Sequence, residues 1–460
     1  MTDDTKSKLM NDLWAGRLVV FCGAGLSMGL PSTVPSAARL ADQCANAYEE
    51  SSGTQLPPEL HWNIEALAEF FASRNELENI FLADVMQRVP DYGTFFRNHN
   101  SGHEAVADFL ACHAIEIAIS TNVDDLIEHA AESLGEPRAN VAVSRAEVNA
   151  RSPHNPHVKL HGCFRRNRTE TLWCTSQLAS APFDERIREF TDWLPGALQG
   201  RDLVFVGYWS DWSYLNKVLG DVLAQSRASR IVLVNPSSAN DLQTKAQGLW
   251  DLAHRAGVEF IHEQQSGQDF LDELRKAYSS LFMSRLITSG RTTFRTRTGR
   301  DAPPIVGFDQ LSSTELYEWR QDSTATPSNR IVRKKEPDAF MQRLGATHLE
   351  MLDAGALMEG SSYSRSGRRV RLIHGAGRLI GDIRSDYSRS TFLASDDLVV
   401  CVGAEKTDPL PDSIARGNGS DSFVRPGLSG AWINDIEARE LFAELEQEPN
   451  VLPLAAEGTD

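Results

Sequence analysis

Six short runs of apolar and β-branched residues constrain the fold of this chain more than any other feature. Each has the length and composition of a buried parallel strand, and most intervals between them are long enough for a crossover helix. The runs are residues 18–22, 114–120, 157–160, 203–206, 231–234 and 258–261. This pattern predicts an α/β fold, a doubly wound, Rossmann-like parallel sheet with helices on both faces.

The interval between the first two runs is long enough for a structure of its own. Apolar residues between about 34 and 110 follow helical spacing, among them Trp62, Leu67, Phe71 and Phe81. We expect a helical insertion over the ligand crevice, with its aromatic side chains mainly in a core.

The composition of the chain changes near residue 285. Five arginines and no acidic residue occupy residues 285–300, and a polar stretch containing Pro303 and Pro304 continues to about Pro337. We predict a sheet domain at residues 1–285, an Arg-rich linker at 286–336 and a smaller α+β domain at 337–460. A solvated linker is the simplest interpretation of the arginines, and an anchoring strip for a partner protein or nucleic acid is the alternative.

The C-terminal part carries strand-like runs at residues 370–373 and 398–402 and an amphipathic pattern at 435–445. Between the first two, Gly375-Ala376-Gly377-Arg378 follows four arginines that lie between residues 365 and 371. This stretch has two interpretations, a phosphate-binding loop or, more simply, a basic hairpin surface. We find no internal repeat and expect this domain to regulate or assemble the protein.

The composition excludes some classes of function. The chain of 460 residues has a net charge of -17, so direct nucleic-acid binding is not expected of its surface as a whole. Its acidic start lacks the features of a secretory signal, and no apolar run reaches the length of a membrane span. We therefore expect a cytoplasmic protein without a membrane partner. Six cysteines without any C-x-x-C pair disfavour a disulfide framework and a structural zinc site.

The sequence Gly23-Ala24-Gly25-Leu26-Ser27 directly follows the first predicted strand. A Gly-X-Gly turn between a strand and a helix lets the backbone approach a pyrophosphate, and Ser27 adds a hydroxyl donor. The usual dinucleotide fingerprint has a third glycine, where this chain has Met28, and an acidic residue about 20 positions later. An ordinary dehydrogenase is therefore disfavoured.

Two further motifs end the next two strands. Thr121-Asn122-Val123-Asp124 follows the second run, and His161-Gly162 follows the third. Taken singly, Asn122 is more simply a cap of the next helix and His161 a buried core histidine. Together, an amide and an imidazole beside a nucleotide loop suit the cleavage of an N-glycosidic bond, because the ribose gains positive charge and a proton must be accepted.

The order of these motifs resembles that of the sirtuin-like NAD-binding domain, especially the bacterial branch that hydrolyses NAD in antiphage defence. The family order is G-A-G-x-S, a helix with a histidine, T-N-x-D, H-G, G-Y-S and a strand that ends near an asparagine. The corresponding residues are Gly23, Ala24, Gly25, Ser27, His103, Thr121, Asn122, Asp124, His161, Gly162, Gly207, Tyr208 and Asn235. Trp209 departs from the family serine, and the resemblance covers about residues 12–265.

The resemblance implies that NAD is the substrate and that no metal is required. It implies contacts from Asn122 to the nicotinamide ribose or the attacking water, and a general-base role for His161, whereas we expect His103 to be structural. The two C-x-x-C pairs that hold zinc in deacylating sirtuins do not occur in this sequence. The implied NAD-binding residues are Gly23, Ala24, Gly25, Ser27, Thr121, Asp124, Gly207 and Asn235.

The expected function is hydrolysis of NAD to nicotinamide and ADP-ribose, latent until a trigger or partner acts, as in abortive infection. The C-terminal domain would then drive assembly into a homo-oligomer, bind a small signalling nucleotide or dock a separate sensor such as a HerA-type ATPase or a short Argonaute. The alternatives are a non-catalytic module that binds NAD or ADP-ribose, an ADP-ribosyltransferase and a deacylase.

Overall fold

The structure is a computed structural model. It describes residues 3–135, 140–149, 155–226, 230–255, 257–324, 338–365, 367–375, 377–389, 398–405 and 431–440. Contacts divide the chain into two compact units, of which the first covers Met1–Tyr278 and the second begins at Ser279. The domain boundaries predicted from the sequence stay predictions.

Seven strands form the sheet of the first unit. They are β1 (Leu18–Cys22), β2 (Ile115–Ser120), β3 (Asn140–Ala142), β4 (Pro156–Lys159), β5 (Asp202–Val206), β6 (Arg230–Val234) and β7 (Glu259–Glu263). All neighbours are parallel, in the order β3-β4-β2-β1-β5-β6-β7. The predicted doubly wound sheet is confirmed, and the three-residue edge strand β3 is the one that periodicity did not indicate.

Helices surround this sheet. They are α1 (Asp3–Ala15), α2 (Ala37–Ser52), α3 (Ile64–Ala72), α4 (Met86–Arg88), α5 (Ser101–Ala111), α6 (Leu126–Ser133), α7 (Arg145–Val148), α8 (Ala181–Ala197), α9 (Ser213–Ser226), α10 (Ala239–Lys245), α11 (Gln247–Arg255) and α12 (Gly267–Ser289). Every residue of β1 and β5 is buried, as expected for central strands with both faces covered. None of the helices among the described residues has the length and apolar character needed to cross a bilayer.

The predicted helical insertion is confirmed between β1 and β2, and it includes a π-helical segment at Leu77–Val85. Its core contains Leu67, Phe71 and Phe81, which are fully buried. The rings of Phe71 and Phe81 stack with centroids 5.3 Å apart. Trp62 differs from the predicted aromatic core, because 68% of it is exposed.

The topology places three loops at one edge of the sheet. β2 and β4 lie on one side of β1, and β5, β6 and β7 lie on the other. Cys22 pairs with Ser120 of β2 and with Val206 of β5, so the carboxyl ends of these strands are level. Ligands of open parallel sheets bind at such an edge, where the strand order changes direction.

The second unit contains a mixed sheet in the order β12-β11-β10-β9-β8. Its strands are β8 (Leu357–Glu359), β9 (Ser362–Arg365), β10 (Arg368–His374), β11 (Leu398–Val402) and β12 (Ala431–Asn434). The pairs from β10 to β12 are parallel and those from β8 to β10 are antiparallel. Its helices are α13 (Arg291–Thr298), α14 (Ser313–Asp322), α15 (Ala339–Asp353) and α16 (Ile380–Arg389). A smaller α+β region is thus confirmed.

Two details of this unit differ from the sequence analysis. α13 and α14 lie within the predicted linker, and their residues Phe294 and Trp319 are buried. Arg297 of α13 pairs with Glu350 at 3.0 Å, so this arginine helps to pack the unit. Of the helix predicted at 435–445, residues 435–440 are helical, and residues 441–445 lie outside the described part of the chain.

Candidate functional site

Two glycine turns pack against each other at the centre of the sheet edge. Gly23 and Gly25, after β1, donate their amide hydrogens to the carbonyls of Val206 (2.9 Å) and Gly207 (2.8 Å). Gly207 has a φ of +64°, and a Cβ there would lie 2.3 Å from the Leu26 nitrogen. The backbone contact between the two turns therefore requires glycine at these positions, whether or not a ligand binds there.

The Ser27 hydroxyl is the centre of a buried hydrogen-bond network. It donates to Asp124 Oδ2 (2.9 Å), and it lies 3.1 Å from His103 Nε2 and 3.2 Å from Asn122 Nδ2. His103 Nδ1 accepts the Asn100 amide hydrogen, so the neutral ring carries its proton on Nε2 and donates it to Ser27. Burial lowers the pKa of His103 to about 3, which keeps the ring neutral. Ser27 thus has no hydrogen left for the pyrophosphate contact that its sequence position predicts.

Asn122 lies after β2, and the turn after β1 holds its amide group. Nδ2 donates to the Gly23 carbonyl and to Ser27 Oγ, both at 3.2 Å. Because a carbonyl only accepts, the Gly23 contact identifies which end of the amide is nitrogen. Asp125, and not Asn122, is the N-cap residue of α6. Among the described residues no hydrogen bond reaches Asn122 Oδ1, which leaves this oxygen as an acceptor for a hydroxyl or water.

A buried ion pair holds the Asn122 loop from the neighbouring strand. Lys159, at the end of β4, is fully buried, and its Nζ donates to the Asp124 carbonyl and lies 2.6 Å from Glu128 of α6. Burial by itself lowers the pKa of Lys159, but the nearby groups of Glu128, Cys163 and Asp124 raise it by a larger amount. The net pKa shift is therefore upward, and the amine stays charged. Burial raises the pKa of Asp124 to about 6, against the opposing charge of Lys159.

His161 occupies the same position after β4 that Asn122 occupies after β2. Ser120 pairs with Lys159 across these two strands, and each candidate residue lies two positions further along its chain. A hydrogen bond to the Thr121 backbone raises the pKa of His161, which means that the ring donates it to the carbonyl. The predicted pair of Asn122 and His161 therefore lies on neighbouring strand ends.

His161 is a weaker base than the sequence analysis expected. Only 7% of it is exposed. Burial lowers the pKa of His161 to about 3, with a smaller contribution from the positive charge of Arg186. Arg186 is itself buried and donates to the Glu170 carbonyl at 3.0 Å. Instead of a pKa near neutrality, the site has an imidazole that is neutral at any pH above about 4.

Two aromatic residues that the sequence analysis missed cover His161. The Tyr214 hydroxyl forms a hydrogen bond with His161 Nε2, and Trp212 stacks on the imidazole with centroids 5.0 Å apart and planes at 16°. Burial raises the pKa of Tyr214 well above its usual value, so the phenol keeps its proton and donates. The available signal was the run 207–214, in which four of eight residues are aromatic. Trp209 of this run is buried and bonds a backbone carbonyl.

The other predicted ligand contacts lie along the same edge. Ala24 and Gly25 are exposed in the turn after β1, and Thr121 is half-buried after β2. Asn235 follows β6, two strands away from β1, and its Oδ1 accepts the Ser237 amide hydrogen at 2.9 Å. The edge therefore offers an exposed glycine turn at its centre and a separate polar turn at Asn235.

The comparison with protein families covers the part of the chain that carries most of these residues. Residues 116–261 match the model of a family described as the SIR2-like domain. This segment is therefore similar to a SIR2-like domain. It contains Asn122, His161, Gly207 and Asn235, whereas the turn at Gly23 precedes it. No curated protein matched the chain.

Solved structures of Sir2 proteins show weaker likeness. A mutant Sir2 homologue in complex with 2'-O-acetyl ADP ribose is 18% identical, with 61% of this chain and 98% of that chain covered and a TM-score of 0.36. A complex of a Sir2 homolog with NAD is 17% identical, with 59% and 94% covered and a TM-score of 0.34. The fold class rests on the strand order and parallel pairing of the sheet.

Proposed function

We propose that the first unit hydrolyses NAD to nicotinamide and ADP-ribose. The observation that carries this proposal is the placement of Asn122 and His161 on neighbouring strand ends of a SIR2-like segment, with Asn122 Oδ1 unoccupied by the described residues. Two polar groups converge there beside an exposed glycine turn, at the sheet edge where nucleotides bind in parallel folds.

The two residues divide the chemistry of the reaction. Cleavage of the N-glycosidic bond gives the ribose carbon positive charge, and an acceptor dipole nearby stabilises it. Because both N–H groups of Asn122 are used by the protein, its oxygen accepts a hydrogen bond from a ribose hydroxyl or from the attacking water. Neutral His161 takes the proton that this hydroxyl or water releases, and nicotinamide departs as a neutral molecule.

The nucleotide contacts follow from which groups remain available. The Gly25 amide hydrogen already bonds the Gly207 carbonyl, so the Ala24 amide of this exposed turn receives the pyrophosphate, as a glycine turn does after a parallel strand. Ser27 and Asp124 act indirectly, because their hydrogen bonds hold Asn122 in place. Thr121, Gly207 and Asn235 stay the proposed contacts along the rest of the edge.

The contact between Tyr214 and His161 supports a latent enzyme. Nε2 of His161 accepts the Tyr214 hydrogen bond and the ring lies under Trp212, so the base becomes available only when these aromatic residues move. A trigger, a partner protein or assembly of the chain into an oligomer would cause this movement, as in an effector of antiphage defence. The same contact also favours a second candidate, a module that binds NAD or ADP-ribose without cleaving it.

Incubation of the full chain with NAD, with and without lysate from phage-infected cells, tests the proposal when nicotinamide and ADP-ribose are separated by chromatography. We expect release of both products, and its loss in His161→Ala and Asn122→Ala. The matched control is His254→Ala, since His254 is exposed on α11.

Each alternative predicts a different outcome of this experiment. Full activity in His161→Ala would contradict the site assignment. Binding of ADP-ribose without turnover under any condition would favour the binding module. Release of nicotinamide without an equal amount of ADP-ribose would indicate transfer to an acceptor.

A further inference from the structure

A buried cluster of Lys159, Glu128 and Cys163 lies beside the candidate site, and the proposed hydrolysis does not use its thiol. Lys159 Nζ lies 2.6 Å from Glu128 Oε1 and 3.5 Å from Cys163 Sγ. The Cys163 thiol in turn donates to Glu128 Oε1, 3.9 Å from its sulfur. Lys159 is fully buried, and only 4% of Cys163 and 8% of Glu128 are exposed. Bulk water is therefore excluded from the space between the amine and the thiol.

The ion pair of Lys159 and Glu128 does not account for the cysteine. The Lys159 ammonium group has three N–H donors, of which one reaches the Asp124 carbonyl and one reaches Glu128. The third is directed at the Cys163 sulfur, and a thiol is a weak acceptor compared with a hydroxyl oxygen. A serine at position 163 would satisfy this donor better. The sulfur therefore contributes reactivity to the cluster and not hydrogen-bond strength.

The three groups together favour an oxidative reaction. A cysteine sulfur is readily oxidised, and in its oxidised state it forms bonds to a nearby nitrogen. Because Cys163 Sγ and Lys159 Nζ are 3.5 Å apart, one inserted oxygen atom joins them with less movement than a direct S–N bond requires. Glu128 contacts both groups and is placed to accept a released proton. Dioxygen is small and apolar, so it suits a site that is closed to bulk water.

We propose that Lys159 and Cys163 form a site of covalent modification, at which dioxygen joins the two side chains through an S–O–N bridge. The S–H bond and two N–H bonds break, and one S–O bond and one O–N bond form. Sulfur and nitrogen lose two electrons each, and dioxygen accepts all four. One of its oxygen atoms enters the bridge, and the other leaves as water with the thiol hydrogen and one amine hydrogen. The remaining proton passes to Glu128, so Lys159 loses its charge.

The bridge loosens the loop that carries Asn122. Its nitrogen keeps one hydrogen, which reaches either the Asp124 carbonyl or Glu128, whereas the free amine reaches both. The residue after the bridged cysteine, Phe164, donates to the Val123 carbonyl of the same loop at 2.9 Å. Oxidation therefore displaces the candidate amide and slows the cleavage of NAD. This regulation rests on the proposed function, whereas the bridge itself does not.

Mass spectrometry of the full chain, kept in air or without oxygen, tests the bridge independently of activity. One oxygen atom is added and two hydrogen atoms are lost, which is a gain of about 14 Da. We expect this gain in air in the tryptic peptide 152–165, with no cleavage after Lys159, and its reversal by dithiothreitol. Cys163→Ser should abolish the gain and restore cleavage. The matched control is Cys401, a buried cysteine whose charged neighbours are Asp322 and Arg378, which should gain no mass.

Nicotinamide release before and after reduction tests the effect of the bridge on the site. We expect the bridged chain to cleave NAD up to about 100-fold more slowly than the reduced chain, since a small displacement of a catalytic group has an effect of that size. An unmodified peptide 152–165 after exposure to air would overturn the inference and leave the proposed function intact. Equal rates for the bridged and reduced chains would overturn the regulation. A bridged chain that cleaves no NAD even after reduction would instead contradict the proposed function and leave the bridge standing.

Discussion

Replacement of Tyr214 by phenylalanine removes one hydroxyl group from the candidate site and keeps the ring. In the structure that hydroxyl donates to His161 Nε2, the nitrogen that accepts a proton in the proposed hydrolysis. Since a buried hydrogen bond contributes about 0.5–1.5 kcal/mol net, its loss lowers the barrier to the active arrangement by the same amount. We expect Tyr214→Phe to raise the basal kcat/KM for NAD about 2- to 10-fold.

The pH profile provides the second readout for this variant. Burial lowers the pKa of His161 to about 3, so the ring is already neutral at pH 5 and the base is not lost as pH falls from 8 to 5. We expect the rate of NAD cleavage to stay independent of His161 titration over this range in both proteins. A histidine with an ordinary pKa would instead lose activity below about pH 6.5.

Nicotinamide release, followed by chromatography from pH 5 to 8, measures both quantities. Tyr48→Phe is the matched control, because Tyr48 packs edge-on against Phe71 in the helical insertion. A fall in kcat/KM for Tyr214→Phe would refute the reasoning, since it would make Tyr214 a residue that positions His161 and not one that blocks it. A rate that declines with a midpoint near pH 6.5 would refute the argument from burial.

Three further changes test the framework of the site. Gly207→Ala should unfold the first unit or reduce its stability by more than about 1–3 kcal/mol, because its Cβ would lie 2.3 Å from a backbone nitrogen. The control Gly257→Ala, with a φ of +66° and open space, should cost only about 1 kcal/mol in thermal unfolding. Lys159→Met should destabilise by about 3–5 kcal/mol in urea, and adding Glu128→Leu should restore part of this. Because burial raises the pKa of Asp124 to about 6, the folded state binds this proton more tightly, so the stability of the wild type relative to Asp124→Asn should fall by up to about 3 kcal/mol between pH 4 and 6. If Glu128→Leu restores no stability to Lys159→Met, the argument from the buried ion pair is contradicted. If the stability difference between the wild type and Asp124→Asn does not change with pH, the expectation for Asp124 is contradicted.

Much of the first sheet could be predicted because buried parallel strands must be continuous apolar runs. The run at residues 18–22 coincides with β1 (Leu18–Cys22), and the level ends of β1, β2 and β5 follow from parallel pairing. The short edge strand β3 (Asn140–Ala142) has too few residues for a periodic signal. α13 (Arg291–Thr298) has a polar composition typical of a linker, and only packing within the second unit explains its helix.

The candidate site was also predictable in part from the sequence, and the rest of it depends on tertiary packing. The neighbouring positions of Asn122 and His161 were predictable, since motifs at the ends of neighbouring parallel strands meet at one edge, whereas their roles stay a proposal. The contact of Tyr214 with His161 joins positions 53 residues apart, and it depends on how α9 packs over that edge. Similarly, the full occupation of the Ser27 hydroxyl depends on two distant side chains, Asp124 and His103.

The sequence by itself determined the fold class, the order of the strand-end motifs and the residue types available for catalysis, because local composition controls which segments are buried strands. Only the tertiary structure decided what those residues can do. Burial, which no local pattern encodes, lowers the pKa of His161, and long-range packing sets its aromatic cover.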